Sequence, residues 1–418
     1  MKIAIVGAGI AGNVAASELH GDGHEITVFE AGSHVGGHTH THQVDGHAID
    51  SGFIVYNERT YPKFSALLGR LGVASQPSSM SFSVRNEASG LEYNGSTLNG
   101  LFAQRRNILR PSFHRMLADV VRFNREAPRL LERAGEIPLG AYLRESGYSR
   151  AFIDEYLVPM GAAIWSTDPA RMLEFPARFF VRFFANHGML SIDDRPRWRV
   201  IRGGSARYVE KLVAPFRHRV RLEAPVTQVL RLPHAVLLRS RGTLERFDAV
   251  FLACHADQAL GVLADATPLE CAVLGAIRYQ ANEAVLHTDT ALLPRARRAW
   301  AAWNYQVRAP GRPVALTYNM NILQGLAASE TYCVTLNRTR DIRPGRVIRR
   351  MTYHHPLFTP EAVAAQARQG ELNGAGRTFY CGAYWGFGFH EDGVASALAA
   401  VAQFRETLGA QHGLHRVA

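Results

Sequence analysis

The fold is decided by the stretch KIAIVGAGIAG, which occupies residues 2–12. Its first five residues are mostly aliphatic, with two isoleucines and a valine, and this composition predicts a buried parallel strand. Gly7 permits a tight turn, Gly9 lets the backbone approach a pyrophosphate, and Gly12 lets the following helix pack closely on the strand. That helix is predicted over Asn13–Leu19, and phosphates would bind the free N–H groups at its amino end.

A second strand and an acidic residue follow at the distances that a dinucleotide-binding unit requires. Glu25–Phe29 predicts the strand, and Glu30 stands at its end, 18 residues after Gly12. A carboxylate there binds ribose hydroxyls and repels a 2′-phosphate, which disfavours NADP. The pattern therefore predicts a Rossmann-like βαβ unit, and Glu30 alone leaves NAD and FAD as alternatives.

Three further segments resemble the flavin-containing amine oxidase superfamily, which includes monoamine oxidases, protoporphyrinogen oxidase and phytoene desaturases. They are the Gly36-Gly37 pair shortly after Glu30, the Gly203-Gly204 pair within residues 198–205, and residues 382–396, which lead into a helix predicted over Val394–Leu408. The resemblance implies an α/β fold and FAD as the cofactor.

The resemblance also implies an interrupted domain organisation. A Rossmann-like FAD-binding domain of amine-oxidase type would comprise residues 1–75, 195–265 and 370–410. An inserted α+β substrate domain would take residues 76–194 and 266–369, and residues 411–418 would form a tail.

By the same resemblance, the backbone of Val226 meets the adenine, Gly52 and Phe53 face the isoalloxazine ring, and the carboxy-terminal helix points its amino end at the flavin. That end would stabilise the negative charge of reduced flavin. The residues implied to bind FAD are Gly7, Gly9, Ala11, Gly12, Glu30, Gly36, Gly37, His38, Gly52, Phe53, Val226, Gly382, Asp392, Gly393 and Val394.

Two departures from the superfamily pattern narrow the chemistry. Amine oxidases of the superfamily commonly place a lysine near the flavin, but the three lysines here leave the corresponding region, residues 282–290, without one. An amine substrate is therefore disfavoured. Cys381 lies in a predicted strand and matches no covalent attachment motif, so the resemblance implies noncovalent FAD.

Residues 388–393, together with Trp198, look most like bacterial FAD-dependent oxidoreductases encoded beside cyclopropane-fatty-acyl synthases. This narrower resemblance implies hydride removal from a C–H bond of an apolar substrate, an acyl chain or a phospholipid. The alternatives are an amine oxidase, a carotenoid-type desaturase, and a flavin- or lipid-binding protein without turnover.

The candidate catalytic residues are His390, Glu391, Tyr384 and Trp385, which fall beside the expected flavin. The titratable trio His390, Glu391 and Asp392 suits acid–base work or tuning of the flavin. Capping of the helix by Glu391 and Asp392 is the alternative explanation for these acids. The aromatic pair suits an apolar substrate.

Three histidines alternate at His38, His40 and His42, and the spacing predicts one strand face. A metal site is one interpretation, and a polar strand face with His38 beside FAD is the favoured one. With four cysteines scattered singly, the sequence predicts neither a disulfide framework nor a CxxC metal knuckle.

The net charge is +11, and 44 of the 47 basic residues are arginines. This excess reflects either codon composition or an anionic partner. No nucleic-acid motif is present, so an anionic membrane is the candidate partner of a cytoplasmic protein that binds it peripherally. The surfaces expected to contact it are a basic amphipathic helix over Pro111–Ala134 and the phenylalanine-rich stretch 175–184, which alternatively forms core or lines an acyl tunnel. The oligomeric state stays open.

Overall fold

The amino-terminal strand lies at the centre of a five-stranded parallel sheet. A computed structural model describes residues 1–132, 135–191, 194–309 and 311–414. In it, Lys2–Val6 pairs with Glu25–Phe29 on one side and with Ala249–Leu252 on the other. Every pairing in this sheet is parallel, as the aliphatic composition of its strands predicts.

The strands of the described residues, numbered along the chain, are β1 (Lys2–Val6), β2 (Glu25–Phe29), β3 (Thr41–Val44), β4 (His47–Asp50), β5 (Val55–Asn57), β6 (Ser75–Pro77), β7 (Phe82–Asn86), β8 (Glu92–Asn94), β9 (Trp198–Ile201), β10 (Val220–Arg221), β11 (Val226–Leu232), β12 (Ala235–Ser240), β13 (Thr243–Phe247), β14 (Ala249–Leu252), β15 (Tyr279–His287), β16 (Trp303–Val307), β17 (Leu316–Asn319), β18 (Cys333–Leu336), β19 (Val347–Pro356) and β20 (Thr378–Tyr380).

The α-helices are α1 (Ile10–Gly21), α2 (Pro62–Arg70), α3 (Leu98–Leu101), α4 (Pro111–Glu126), α5 (Leu139–Glu145), α6 (Arg150–Phe152), α7 (Val158–Trp165), α8 (Pro169–Met172), α9 (Ala177–Asn186), α10 (Ala206–Val213), α11 (Ala256–Val262), α12 (Pro268–Leu274), α13 (Met320–Gln324), α14 (Pro360–Gln366), α15 (Gln369–Leu372) and α16 (His390–Leu414). Short 3-10 helices include Arg105–Leu109 and Ala127–Glu132.

The parallel sheet has the order β10-β2-β1-β14-β20 and is covered on both faces. Successive strand residues point to opposite faces. Ile3 and Ile5 therefore pack with α1, α2, α10 and α16. Ala4 and Val6 pack with the small sheet β11-β12-β13 and with α11 and α12.

The second large sheet has seven strands in the order β19-β15-β18-β17-β16-β7-β8. Its pairings are antiparallel except for β7 with β16. Helices between residues 111 and 186 form a separate core that includes Val84 of β7 and Tyr93 of β8. The domain bounds given above remain a prediction, although strands of the parallel sheet do come from three separated stretches of chain.

Several elements begin or end where the sequence pattern did not indicate. Helix α1 starts at Ile10 and α16 starts at His390, three and four residues before the predicted starts at Asn13 and Val394. The basic helix ends at Glu126 and continues as a 3-10 turn, since Pro128 lacks an N–H donor. Arg133 and Ala134, at the end of that predicted helix, lie outside the described residues.

The two surfaces expected to contact a membrane are largely used inside the protein. Phe175, Phe179, Phe180, Phe183 and Phe184 are between 0% and 7% exposed, so this stretch is core and cannot insert into lipid. On α4, two of the arginines form ion pairs with the buried Asp119 and a third pairs with a neighbouring glutamate. Within the described ranges, no helix has both the length and the apolar character needed to cross a bilayer.

Candidate active site

The glycine turn after β1 is packed so tightly that side chains are excluded at two positions. Gly7 has φ of +102°, and a Cβ there would lie 2.8 Å from the Ala253 carbonyl oxygen. A Cβ on Gly12 would lie 1.9 Å from the Gly7 carbonyl oxygen. Gly9 differs, because a Cβ on it would meet no atom within 4 Å. The amino end of α1 therefore faces open space, without an acidic side chain in its first turn.

The Gly36-Gly37 loop forms the opposite side of this space. Both residues have positive φ, +128° and +60°. Gly36 N–H donates to the Ala8 carbonyl oxygen at 2.8 Å, and a Cβ on Gly37 would lie 3.1 Å from the Gly9 Cα. Two side-chain-free backbone segments thus border one space at a helix amino end, which fits a dinucleotide pyrophosphate.

Glu30 is fixed at the end of β2 beside this turn. Its carboxylate accepts hydrogen bonds from Ala8 N–H at 2.8 Å and from Gly32 N–H at 2.7 Å. The Glu30 carbonyl oxygen accepts from Ala224 N–H at 2.8 Å, two residues before Val226. The structure therefore brings Glu30 and the start of β11 together, as ribose and adenine binding by these residues would require.

The amino end of α16 meets the amino end of α1. A Cβ on Gly393 would lie 2.7 Å from Ile10 Cγ2, so a larger residue there would have to displace the Ile10 side chain. Ala11 and Val394 are buried at the same junction. Gly382 is held next to it, because its N–H donates to the Ser396 hydroxyl at 3.0 Å. Two helix amino ends therefore direct positive potential to one place, which favours an anionic cofactor.

Gly52 and Phe53 lie against the Gly-Gly loop. Phe53 N–H donates to the His38 carbonyl oxygen at 2.8 Å, and a Cβ on Gly52 would lie 2.1 Å from that oxygen. The Phe53 ring stacks on His390 with 3.5 Å between centroids. His38, Gly52, Phe53 and His390 all line one large cavity.

His390 is buried, and its Nε2 lies 2.9 Å from the Thr39 hydroxyl and 3.0 Å from the Tyr208 hydroxyl. Burial lowers the pKa of His390 to about 3. The imidazole is therefore neutral near pH 7 and is held in one orientation by two hydroxyls. This arrangement suits hydrogen bonding to a bound molecule better than proton donation.

Glu391 and Asp392 are both occupied by backbone donors. The Glu391 carboxylate accepts from Lys63 N–H at 3.0 Å and Phe64 N–H at 2.9 Å, so it caps the amino end of α2. Asp392 accepts from Phe389 N–H at 2.9 Å, and burial raises the pKa of this carboxyl to about 6. The geometry favours capping for both acids. Asp392 caps α16, the helix to which it belongs, whereas Glu391 caps α2.

Tyr384 and Trp385 do not line the large cavity. Both pack against the core between the parallel sheet and β11-β12-β13. The Tyr384 hydroxyl and the Trp385 Nε1 are buried without a hydrogen-bond partner among the described residues. The aromatic side chains of this segment that do reach the cavity are those of Phe387 and Phe389.

The prediction that His38, His40 and His42 share one strand face is wrong, because β3 begins only at Thr41. His40 stacks on His34 with 4.0 Å between centroids and lies at a tilt against His42, 4.1 Å away, whereas His38 turns to the cavity. Among the described residues, no group of three or more histidine, cysteine or acidic side chains could hold a metal ion.

Three histidines that belong to none of the sequence motifs lie around His38. The His38 ring lies 5.4 Å from His355 and 6.4 Å from His255, and His255 lies 5.8 Å from His354. Burial, followed by the neighbouring histidines, lowers the pKa of His38 well below its usual range and that of His355 to about 4. His255 follows a buried strand of the parallel sheet, which was a usable signal, whereas His354 and His355 come from the other sheet.

The cavity has a volume of about 740 Å³, within the range typical of ligand sites. Its wall is rich in aromatic side chains, namely Phe53, Tyr61, Phe82, Tyr93, Tyr156, Trp165, Phe183, Trp198, Trp303, Tyr318, Tyr353, Phe358, Phe387 and Phe389. The charged side chains that line it within the described residues are Arg195, Arg197 and Arg199, with no aspartate, glutamate or lysine. Arg199 approaches Glu58 at 3.8 Å, whereas Arg195 and Arg197 are both exposed and have no ion-pair partner in the described part of the chain.

His187, which likewise belongs to none of the sequence motifs, is a buried histidine on the cavity wall. Its Nδ1 lies 3.0 Å from the Phe183 carbonyl oxygen, which can only accept, so Nδ1 carries the proton. The Nε2 atom is consequently an acceptor. Burial lowers the pKa of His187 to about 4.

Comparison with known proteins also indicates a flavin cofactor. A family model described as flavin-containing amine oxidoreductase matches residues 10–292. The 4,4'-diapophytoene desaturase (4,4'-diaponeurosporene-forming) of Staphylococcus aureus is 44% identical over 52 residues, which are 12% of this chain and 10% of that protein. The chain thus aligns with only about a tenth of the length of this curated relative.

Two solved structures share the fold over nearly the whole chain. Cyclohexylamine oxidase from Brevibacterium oxydans IH-35A superposes with a TM-score of 0.72 at 16% identity, covering 98% of this chain and 99% of that one. The CLA-producing fatty acid isomerase from P. acnes superposes with a TM-score of 0.69 at 16% identity, covering 96% and 98%. The predicted fold class and the predicted cofactor, FAD, are confirmed.

The open space beside Gly9 makes a direct test of cofactor binding. Its backbone angles, φ −73° and ψ −175°, are allowed for alanine, so Gly9→Ala should fold. The added methyl group would occupy the approach of the pyrophosphate, and we expect FAD affinity to fall about tenfold or more, equivalent to about 1.4 kcal/mol. Titration of the apoprotein with FAD measures this. Gly21→Ala, at the far end of α1 with similar free space, should bind FAD like the parent, and equal affinity for Gly9→Ala would contradict the placement.

Measurements of stability and of flavin-reduction rate distinguish the two possible roles of Glu391, capping of α2 and acid–base work. Glu391→Gln loses one acceptor oxygen at the amino end of α2, and we expect the free energy of unfolding to fall by about 0.5–2 kcal/mol. Flavin reduction by substrate should keep its rate if capping is the role. Glu361→Gln, in the first turn of α14 where Thr359 already provides a cap, is the matched control and should change stability less. An unchanged stability with slower reduction would instead support acid–base work by Glu391.

Proposed function

The chain belongs to the flavin-containing amine oxidoreductase family, and we propose that it uses FAD to remove hydride from a C–H bond of an apolar acyl chain. The observation that carries this proposal is the cavity wall, which combines aromatic side chains with arginines and has no acidic side chain among its described members. A protonated amine would find no carboxylate there. An acyl chain with an anionic head would find both apolar contacts and opposite charge.

The residues that fit FAD are those of the glycine turn, Glu30, the Gly36-Gly37 loop, the start of β11 and the amino end of α16. Bound noncovalently at this place, the cofactor supplies the hydride acceptor. The aromatic wall would exclude water from the substrate. Arg197 and its neighbours would hold the anionic head at the mouth, so that the chain extends inward.

His187 supplies a proton acceptor for the same reaction. Forming a carbon–carbon double bond removes a hydride and a proton from adjacent carbons, and the proton needs a base. The Nε2 of His187 carries a lone pair and belongs to a residue of the cavity wall. Burial lowers its pKa to about 4, so the ring is unprotonated near neutral pH but is a weaker base than a free imidazole.

Related folds lend support without deciding the substrate. A solved structure with this fold is a CLA-producing fatty acid isomerase, and another is an amine oxidase. The short match to a diapophytoene desaturase favours a polyene as the second candidate. We also propose that, within the family, the chain is most similar to the FAD-dependent oxidoreductases encoded beside cyclopropane-fatty-acyl synthases.

Anaerobic mixing of the holoprotein with candidate substrates tests the proposal. We expect a fatty acid or a phospholipid to bleach the flavin absorbance and cyclohexylamine to leave it unchanged. Bleaching by the amine alone would contradict an acyl substrate. Bleaching by none of them, a polyene included, would favour a flavin- or lipid-binding protein without turnover.

The charged head is tested by comparing a fatty acid with its methyl ester. Arg197→Gln should raise the fatty-acid concentration needed for half-maximal reduction about two- to fivefold, the effect of losing one exposed charge pair. The ester should show no such change. Arg217→Gln, an exposed arginine away from the cavity wall, serves as the control, and equal effects on acid and ester would contradict head recognition.

A further inference from the structure

Exposed aliphatic side chains concentrate on one segment of the surface. Leu98 is 77% exposed and Leu109 is 86% exposed, the two highest values among the large hydrophobic residues that stand out from the described surface. Ile108 beside Leu109 is 51% exposed. We call these three residues, with Arg105, Arg106 and Arg110, the Leu98 patch. Contact between water and such apolar side chains is unfavourable, and a group of them on the surface indicates an interaction site.

The segment that carries the patch is firmly held, so these side chains are kept outside. Leu101 and Phe102 pack on the helical core behind it. Asn107 is fully buried, and Arg105 donates to the Phe102 carbonyl oxygen and to Asn99 Oδ1, both at 2.6 Å, which joins the 3-10 helix to α3. Thr97 caps α3 by accepting from Gly100 N–H at 3.0 Å.

The patch carries positive charge that the protein does not cancel. Residues 93–118 contain four arginines and no acidic residue. Arg105 and Arg106 donate only to neutral acceptors, among them the Gly90 carbonyl oxygen. Arg110 approaches the largely buried Glu155 only at 3.9 Å. Arginines around protruding leucines complement an anionic bilayer, which accepts both the charge and the apolar groups.

A second copy of the chain fits this surface less well. Two copies meeting through the patch would bring like charges together, and each chain carries a net charge of +11. Like-charge juxtaposition of this kind opposes association. The anionic leaflet therefore remains the favoured partner.

The patch also lies beside an opening of the cavity. Gly95 and Ser96 line the cavity and are exposed, and Ser96 is separated from Leu98 only by Thr97. An acyl chain leaving a bilayer at the patch would thus enter the cavity after little contact with water. This link to the cavity rests on the proposed function, whereas the charge and exposure of the patch do not.

We propose that the Leu98 patch docks the protein on anionic membranes, with Leu98, Ile108 and Leu109 entering the interface and Arg105 and Arg106 facing lipid phosphates. Docking on this surface places the Gly95–Ser96 opening at the bilayer. It also assigns membrane contact to a surface other than the basic helix and the buried phenylalanine stretch.

Co-sedimentation of the holoprotein with vesicles tests the proposal. Vesicles of phosphatidylcholine alone are compared with vesicles that also contain phosphatidylglycerol, across a salt series. We expect binding to the anionic vesicles that weakens with salt. The double variant Arg105→Gln/Arg106→Gln should bind them about tenfold to thirtyfold more weakly, and Leu98→Ser/Leu109→Ser about tenfold more weakly at every salt concentration.

The control is Leu232→Ser/Leu244→Ser, which changes two other exposed leucines, 40% and 48% exposed, on β11 and β13. It should bind vesicles like the parent. Parental binding by the Leu98→Ser/Leu109→Ser variant, or equal binding to neutral and anionic vesicles, would overturn the proposal. A parent dimer that this variant converts to monomers would assign the patch to a second copy instead. Flavin reduction by a detergent-dispersed acyl chain, measured alongside, separates failure of docking from failure of the proposed function.

Discussion

The whole site depends on the close contact between the start of α1 and the turn that precedes it. A Cβ on Gly12 would lie only 1.9 Å from the Gly7 carbonyl oxygen. Any side chain at this position would therefore push α1 away from β1. Ile10 at the start of α1 in turn packs against Gly393 in the first turn of α16, where an added Cβ would lie 2.7 Å from Ile10 Cγ2. Glycines in two separated stretches of the sequence, the turn at residues 7–12 and Gly393, thus bring two helix amino ends to one space, where a diphosphate is favourable.

The diphosphate space and the adjoining cavity are lined by arginines, histidines and backbone N–H groups, and by few acidic side chains. Glu30, Glu391 and Asp392 are each bound to backbone N–H groups, and histidines and arginines line the adjoining cavity. Burial keeps His390, His355 and His187 neutral near pH 7, because it lowers each pKa to about 3 or 4. Such a lining offers a cationic amine no carboxylate partner, which is the electrostatic basis of the acyl substrate proposed above.

Sequence alone predicted the parts of the fold that depend on local pattern. The βαβ unit followed from glycine spacing and strand composition, and the family followed from segments that share its turns. What it missed depends on contacts between distant segments. Glu391 caps a helix more than 320 positions away, and His38 meets His355 only because two sheets adjoin. The start of α16 at His390 was missed because Gly393 in its first turn is typical of a loop and here packs against Ile10.

The most direct test of the account is the identity of the flavin that the purified protein releases on acid denaturation. The space between the glycine turn and the Gly36-Gly37 loop, together with Glu30, predicts FAD in an equimolar amount, all of it in the supernatant and none attached to the precipitated chain. Release of FMN, flavin that stays covalently bound to the protein, or a colourless protein that fails to take up added FAD would contradict it.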